Sequence, residues 1–269
     1  MERLIVLGTG NAMVRKCYNT CFAIEKDGAY LLVDAGGGNG ILAQLSKAGI
    51  PSTDIRELIV THAHCDHMLG VIWVLREIGN LMAAGRYKGE FHIWCHLRLI
   101  EMLKTISGMT LLPKITSRFD KSIIFHAVEN GTQANICGWP VTFFNIFSTK
   151  DEQYGFTMQL RCGKKLTCLG DEPFNPACLP YVRESDWFLS EAFCLYAQRE
   201  QFKPYEKHHS TVKEACEKAA ELNVPNLVLW HTEEENYEDK PNLYAAEGRL
   251  YYHGNLIVPK DLDVIPLSD

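Results

Sequence analysis

The stretch Thr-His-Ala-His-Cys-Asp-His occupies residues 61–67 and directly follows a short, mainly apolar segment. Imidazole nitrogens and carboxylate oxygens in one stretch suit zinc, manganese or iron. In an extended segment, side chains two residues apart point the same way, so His62 and His64 are placed to bind one ion. Asp66 and His67 lie beyond a bend and are placed to bind a second ion. The stretch therefore predicts a metal centre.

The composition limits the class of protein. The chain has 269 residues, of which 46% are hydrophobic, and a formal net charge of −6. This supports a sizeable core and disfavours a basic nucleic-acid-binding protein. No apolar run approaches the roughly 20 residues that a membrane span needs. The ten cysteines include no C-x-x-C pair. The first apolar stretch is also too short for a secretion signal, so we expect reduced thiols and a cytoplasmic location.

The order of apolar segments predicts a layered α/β fold. Short strands cluster in the first 60 residues and later alternate with helical patterns, and no linker divides residues 1–269. We therefore expect a single domain. Residues 61–70 read as a polar loop, residues 71–78 as a helix, and residues 210–222 as an amphipathic helix.

Three later positions resemble parts of a site but are weak when taken alone. Asp171 follows an apolar stretch and Gly170, where a lone aspartate is more often a turn residue. His231 ends another apolar stretch, where a structural histidine is the ordinary case. His209 precedes the helix whose start is marked by Thr211, with Glu214 placed for a capping box. The acidic run of residues 233–235 is expected to be a solvated loop.

Taken together, the motifs resemble the metallo-β-lactamase fold superfamily. The resemblance covers nearly the whole chain and includes Leu-Gly-Thr-Gly at residues 7–10 and Val-Asp-Ala-Gly at residues 33–36. The branch that looks most similar is the ribonuclease Z-like hydrolases. In that branch a His-Ser-Thr element opens a helix, as at residues 209–211, and a later strand ends in a ligand histidine. Residues 190–193, Ser-Glu-Ala-Phe, resemble the branch's His-Glu-Ala-Thr-Phe element.

The resemblance implies a four-layer αββα sandwich with a metal site at one edge. The ions would be one or two Zn²⁺, with Mn²⁺ or Fe²⁺ as alternatives. The implied metal ligands are His62 and His64 for the first ion, Asp66, His67 and His231 for the second, and Asp171 as the bridge. Asp34 would orient a ligand histidine. The implied catalytic residues are Asp66, His209 as a proton donor or clamp, and Glu191, which would orient His209.

Two features depart from the family pattern. Members of the family carry a further ligand histidine before a Gly-Phe or Gly-Tyr pair, and the best-matching position here is Phe147. We expect the first ion to bind more weakly unless Asp151 or Glu152 replaces that ligand. Members of the branch that process tRNA carry a protruding arm before the Gly-Asp element. Only residues 157–169 are available here, so we expect that tRNA is not the substrate.

The leading functional hypothesis is a metal-dependent hydrolase that cleaves a small phosphodiester or nucleotide-like substrate through a metal-activated hydroxide. One alternative is a thioester or lactone hydrolase, because one fold hosts many chemistries. Another is a degenerate metal-binding member without turnover, which Phe147 favours. The resemblance also suggests a homodimer and no membrane partner.

Overall fold

Two mixed β-sheets, each of seven strands, form the centre of the structure, a computed structural model that describes residues 2–268. The first sheet consists of β1 (Glu2–Gly8), β2 (Cys21–Lys26), β3 (Ala29–Val33), β4 (Ile55–Ile59), β5 (Phe91–Cys95), β6 (Ile123–Ala127) and β14 (Val264–Pro266), in the order β14-β1-β2-β3-β4-β5-β6. The second consists of β7 (Gln133–Ile136), β8 (Trp139–Asn145), β9 (Tyr154–Gln159), β10 (Lys165–Cys168), β11 (Trp187–Glu191), β12 (Asn226–Trp230) and β13 (Asn255–Ile257), in the order β13-β12-β11-β10-β9-β8-β7.

Helices cover the outer faces of both sheets. They are α1 (Gly40–Lys47), α2 (Cys65–Ala83), α3 (Leu97–Thr110), α4 (Pro113–Thr116), α5 (Leu179–Val182), α6 (Arg199–Phe202), α7 (Val212–Glu221) and α8 (Lys240–Gly248). Residues of α1 to α4 share a buried cluster with the first sheet, and residues of α5, α7 and α8 share one with the second. No helix within residues 2–268 is long and apolar enough to cross a membrane.

Alternation along the strands creates the layers. In β1, Leu4 and Val6 belong to the buried cluster between the sheets, whereas Ile5 and Leu7 belong to the cluster under the helices. A strand that is apolar on both faces can therefore form part of two cores at once. The result is the four-layer αββα sandwich of the metallo-β-lactamase fold, and the predicted fold class is confirmed.

The parallel strands decide where the polar residues meet. β3, β4 and β5 run parallel in the first sheet, and β10, β11, β12 and β13 run parallel in the second. The carboxyl ends of neighbouring parallel strands lie at one edge of a sheet, and the loops that follow them meet there. Side chains from both sheets therefore meet at one edge of the sandwich.

The predicted loop over residues 61–70 is wrong for residues 65–70, which are helical. The helix predicted for residues 71–78 therefore begins earlier than predicted. The helix α2 starts at Cys65, so Asp66 and His67 lie in its first turn. The first turn is fixed by contacts with the loop after β3. The amide of Ala35 donates to the carbonyl of His67, and that of Gly70 donates to the carbonyl of Gly36.

Candidate metal centre

Five loops or helix starts bring the polar side chains together. The predicted ligands come from the end of β4, the first turn of α2, the end of β10 and the end of β12, and His209 comes from the segment before α7. Their carboxylate and imidazole atoms form three groups, each within 4.8 Å: His62, His64 and Asp171; Asp66, His67 and His231; and Asp171, His209 and His231. All of them are buried except His64, whose side chain is 33% exposed.

Asp34 holds one side of this centre. Its backbone φ is +55°, a left-handed conformation that aspartate tolerates better than most residues. Its carboxylate accepts from the amide and the hydroxyl of Thr61, each at 2.8 Å, and from Nδ1 of His67 at 2.8 Å. The Thr61 hydroxyl in turn lies 2.9 Å from Nδ1 of His62. One carboxylate therefore orients two imidazole rings, that of His67 directly and that of His62 through Thr61.

These contacts leave the other ring nitrogens facing inward. Nε2 of His62 lies 2.9 Å from Nδ1 of His64, and both face Oδ2 of Asp171, at 3.5 and 3.8 Å. With Nδ1 of His62 donating to the Thr61 hydroxyl, its Nε2 carries a lone pair. Three atoms that could ligate a metal, Nε2 of His62, Nδ1 of His64 and Oδ2 of Asp171, thus face one another.

The second group is similar and more deeply buried. Oδ2 of Asp66 lies 3.5 Å from Nε2 of His67 and 3.6 Å from Nε2 of His231. Oδ2 of Asp171 lies 3.9 Å from Nε2 of His67 and 3.7 Å from Nε2 of His231. Because this one oxygen also faces His62 and His64, Asp171 stands between the two groups.

The donor set fits a divalent cation. Nε2 of His67 and Nε2 of His231 are buried and lack a hydrogen-bond partner among the described residues, a costly arrangement unless something binds there. Burial alone would raise the pKa of Asp171, but the imidazoles of His62 and His64 lower it well below its usual range. Burial lowers the pKa of His62 and of His231, which favours the neutral, ligating imidazole. Burial would also lower the pKa of His67, but the facing carboxylates, Asp34 first among them, outweigh it and raise that pKa to about 9, so a cation bound there would displace a proton. Ionised carboxylates and neutral imidazoles are the forms that bind zinc.

His209 and Glu191 form the far wall of the centre. The His209 ring stacks on Phe193, with the centroids 4.9 Å apart, and lies 5.1 Å from the ring of His231. Oε2 of the fully buried Glu191 lies 3.6 Å from Nδ1 of His209, while Oε1 accepts from the amide of Ser210. The predicted capping box of Thr211 and Glu214 starts α7 directly afterwards. The backbone that carries His209 is thus fixed on both sides.

The residues near the sequence position of the missing ligand histidine lie outside the three ligand groups. Phe147 is 47% exposed, and its φ is +60°. Asp151 pairs with Arg98, with Oδ1 and NH1 3.2 Å apart, and Oε2 of Glu152 lies 3.3 Å from Nδ1 of His96. Neither carboxylate belongs to the ligand groups among residues 2–268. The structure therefore gives no support to the alternative in which Asp151 or Glu152 replaces the missing ligand.

A cavity of about 720 Å³ opens beside the centre. One wall carries His64, Asp66, Asp171, His209 and His231, and the others carry Lys16, Lys150, Lys207, Met13, Val14, Phe193, Phe202 and residues 233–235. The expectation of a solvated acidic loop is wrong for Glu233, which is buried and accepts from the hydroxyl of Tyr244. Glu234 accepts from the amides of Arg15 and Lys16, at 2.6 Å each.

Sequence reasoning missed several residues of this site. The motif gives no separate signal for Thr61, although its hydroxyl links Asp34 to His62. The sequence gives no sign that the neutral Gln153, whose side chain donates to Asp171, belongs to the site. Lys16 reaches the cavity from a loop and Phe202 from the end of α6, and no local pattern predicts that.

Comparison with known proteins agrees with the fold. Residues 2–245 match the family described as anti-Pycsar protein Apyc1. Ribonuclease Z of Thermococcus sibiricus is 26% identical in an alignment of 309 residues that covers 100% of this chain and 97% of the relative.

Two solved structures are similar over nearly their whole length. The metallo-β-lactamase fold protein YhfI of Bacillus subtilis has a TM-score of 0.80 at 16% identity, with 98% of each chain covered. The short form of human tRNase Z has a TM-score of 0.74 at 20% identity, with 99% of this chain and 100% of that chain covered. From the matched residues and this fold, the chain belongs to the anti-Pycsar protein Apyc1 family, in the ribonuclease Z-like branch of the metallo-β-lactamase superfamily.

Proposed function

We propose that this protein is a metal-dependent hydrolase that cleaves a small phosphodiester in the cavity beside the His and Asp cluster. The observation that carries the proposal is the convergence of four imidazole nitrogens on Oδ2 of Asp171, at 3.5 to 3.9 Å. In this proposal His62, His64 and Asp171 hold one ion, and Asp66, His67, His231 and Asp171 hold a second. Zn²⁺ suits the set best, and Mn²⁺ or Fe²⁺ are alternatives.

Bound divalent cations would activate a water molecule and stabilise the charge on phosphoryl oxygens. The chain's own residues prepare the site for this role. Asp34 fixes the ring of His67 directly and that of His62 through Thr61, so that each ring presents its Nε2. Ligands that are already oriented lose little freedom when an ion binds, which strengthens binding.

His209 is proposed as the group that meets the leaving oxygen. Its ring lines the cavity and is held between Phe193 and Glu191. A histidine in this position can donate a proton to the departing alkoxide or stabilise its charge. Glu191 is proposed to orient His209, since its other oxygen is already fixed by the amide of Ser210.

The cavity favours a small anionic substrate. Its volume of about 720 Å³ lies within the range of about 300–1,000 Å³ typical of small-molecule sites. Lys16, Lys150 and Lys207 line it and can pair with phosphate oxygens, and Phe193 and Phe202 offer apolar surface. Residues 233–235 add negative charge that would repel a long polyanion.

The turn between β9 and β10 also favours a small substrate over tRNA. It spans only residues 160–164 and is closed by hydrogen bonds between Leu160 and Lys164 and between Gly163 and Leu160. It has no room for the protruding arm expected of a tRNA-processing member. The relative named ribonuclease Z keeps RNA among the substrates to be tested.

Cleavage of bis(p-nitrophenyl) phosphate tests the proposal. Protein purified with Zn²⁺ or Mn²⁺ should release p-nitrophenolate, and Asp66→Ala and His67→Ala should each abolish most of that activity. A parallel panel of a thioester, a lactone and a precursor tRNA separates the phosphodiesterase from the alternatives.

The matched control is His253→Ala, because His253 is an exposed histidine outside the centre. That variant should retain full activity. Activity that survives both substitutions in the centre, or a preparation that turns over only the thioester or lactone, would overturn the proposal.

A further inference from the structure

We infer that Gln153 is a positioning residue of the metal centre, which fixes the bridging carboxylate so that a single oxygen faces the ions. This inference rests on the proposed metal-dependent function and concerns how that same site is built. Gln153 precedes β9 and is 0% exposed. It lies in the segment where the family's further histidine is expected.

The two oxygens of Asp171 have different surroundings. Oδ1 accepts from the side-chain amide Nε2 of Gln153 at 2.5 Å. Oδ2 faces His62, His64, His67 and His231. With Oδ1 held by a neutral donor, the carboxylate cannot rotate to offer both oxygens to one ion. Gln153 therefore sets the bridging geometry without adding a charge.

Backbone hydrogen bonds at Gln153 and at the next residue fix the position from which the Gln153 side chain reaches the centre. Its carbonyl accepts from the amide of Ile146, and the next amide, that of Tyr154, donates to the carbonyl of Thr61. The segment is thus clamped between the end of β8 and the residue that precedes His62. Because the backbone at Gln153 is fixed by these hydrogen bonds, its side chain loses little additional conformational freedom when it donates to Asp171.

Gly170 makes room for this amide. Its φ is +91°, and a Cβ atom at this position would lie 2.9 Å from Oε1 of Gln153. Glycine is thus required both by the backbone conformation and by the close approach of Gln153. Oε1 itself is buried and has no hydrogen-bond partner among residues 2–268. Burying an unpaired amide oxygen costs free energy, which the hydrogen bond from Nε2 of the same side chain to Asp171 can offset.

The consequence is an asymmetric pair of metal sites. The first ion would have His62, His64 and one oxygen of Asp171, so Asp171 supplies one of three protein ligands. The second would have Asp66, His67, His231 and the same oxygen, so Asp171 supplies one of four. Loosening Asp171 should therefore weaken the first site more than the second.

Titration of the metal-free protein with Zn²⁺, followed by calorimetry, tests the inference without using activity. The wild type should bind two ions with different affinities. Gln153→Met keeps the side-chain size but removes the donor, and it should weaken the first site by about 10–100-fold, as is typical when a partner of a metal ligand is lost. The second site should change by less than about 3-fold. Gln153→Asn keeps the amide but shortens its reach, and we expect the same pattern.

Gln44→Met is the matched control, because Gln44 is also buried but donates to the carbonyl of Leu7 and to Asp261, away from the centre. It should leave both affinities unchanged. Unchanged binding in both Gln153 variants, or an equal loss at the two sites, would overturn the inference while leaving the proposed function intact. A wild type that binds no Zn²⁺ would overturn the proposed function as well. Thermal unfolding of each metal-free variant identifies any variant that fails to fold. If one Gln153 variant fails to fold, the Zn²⁺ affinities of the other test the inference.

Discussion

The two halves of the candidate metal centre are built differently. The half with Asp66, His67 and His231 is buried throughout, and Asp34 fixes its central ring through a 2.8 Å hydrogen bond. The half with His62 and His64 is more open, since the side chain of His64 is 33% exposed. Asp171 belongs to both and is held by Gln153 from outside. We therefore propose that the first half serves ligand exchange and the second tight binding.

The largest effect is expected from Asp171→Ala, which removes the ligand that both halves share. Both ions should bind far more weakly, and phosphodiesterase activity should fall by more than the factor of about 10–100 that outer partners of metal ligands cost. Metal content by mass spectrometry and the rate of bis(p-nitrophenyl) phosphate cleavage measure this. A variant that keeps two tightly bound ions would show that Asp171 is no bridge.

The second-largest effect is expected from removal of the metal, which should destabilise the fold. An ion present at 100 times its dissociation constant stabilises the native state by about 2.7 kcal/mol. A chelator should therefore lower the midpoint of thermal unfolding by about 5–10 °C. Most of that shift should vanish in His67→Ala, because His67 belongs to the tighter half. An unchanged midpoint on chelation would contradict the presence of a bound ion.

A smaller and more selective effect is expected from Asp34→Asn. The amide retains the tolerance for the left-handed backbone at this position but cannot accept all three hydrogen bonds that the carboxylate accepts. The second ion should bind about 10–100-fold more weakly in a Zn²⁺ titration. The first-site affinity in the same titration should fall less, because Asp34 reaches His62 only through Thr61. An equal loss at both sites would contradict this ranking of the direct contact to His67 above the indirect one to His62.

The smallest effect is expected outside both halves, at the capping box of α7. Partial burial opposes ionisation of Glu214, but hydrogen bonds from Thr211 and Tyr205 outweigh it and lower its pKa. A lowered pKa stabilises the fold above the ordinary pKa of glutamate and ceases to do so as the pH falls through the lowered value. Glu214→Gln should therefore cost about 0.5 kcal/mol at pH 7 and less at pH 2, by urea denaturation.

Metal binding supplies the control for the capping-box prediction. Because Glu214 contacts no predicted ligand, both Zn²⁺ affinities of Glu214→Gln should equal those of the wild type. A cost that persists unchanged at pH 2 would show that the charge of Glu214 is not what stabilises the helix start.

Local patterns predicted the elements that carry their own signal. The short apolar strands of the first 60 residues and the amphipathic segment that became α7 follow from the local pattern of side chains alone. The start of α2 could not be predicted in this way. Its start is polar, and it is held by hydrogen bonds that join His67 and Gly70 to Ala35 and Gly36 in the loop after β3. Such contacts depend on chain segments that are distant in sequence.

The sequence by itself determined the donor types and their order, because residues 62–67 place imidazoles and a carboxylate within reach of one another whatever the rest of the chain does. It also determined which faces of the strands are apolar, and hence the layers. Only the tertiary structure decided that Phe147 turns away, that Asp151 and Glu152 pair with other side chains, and that Gln153 holds Asp171. The physical reason is that hydrogen bonds at this centre join the ends of strands from two sheets, and their distances are set by packing rather than by spacing along the chain.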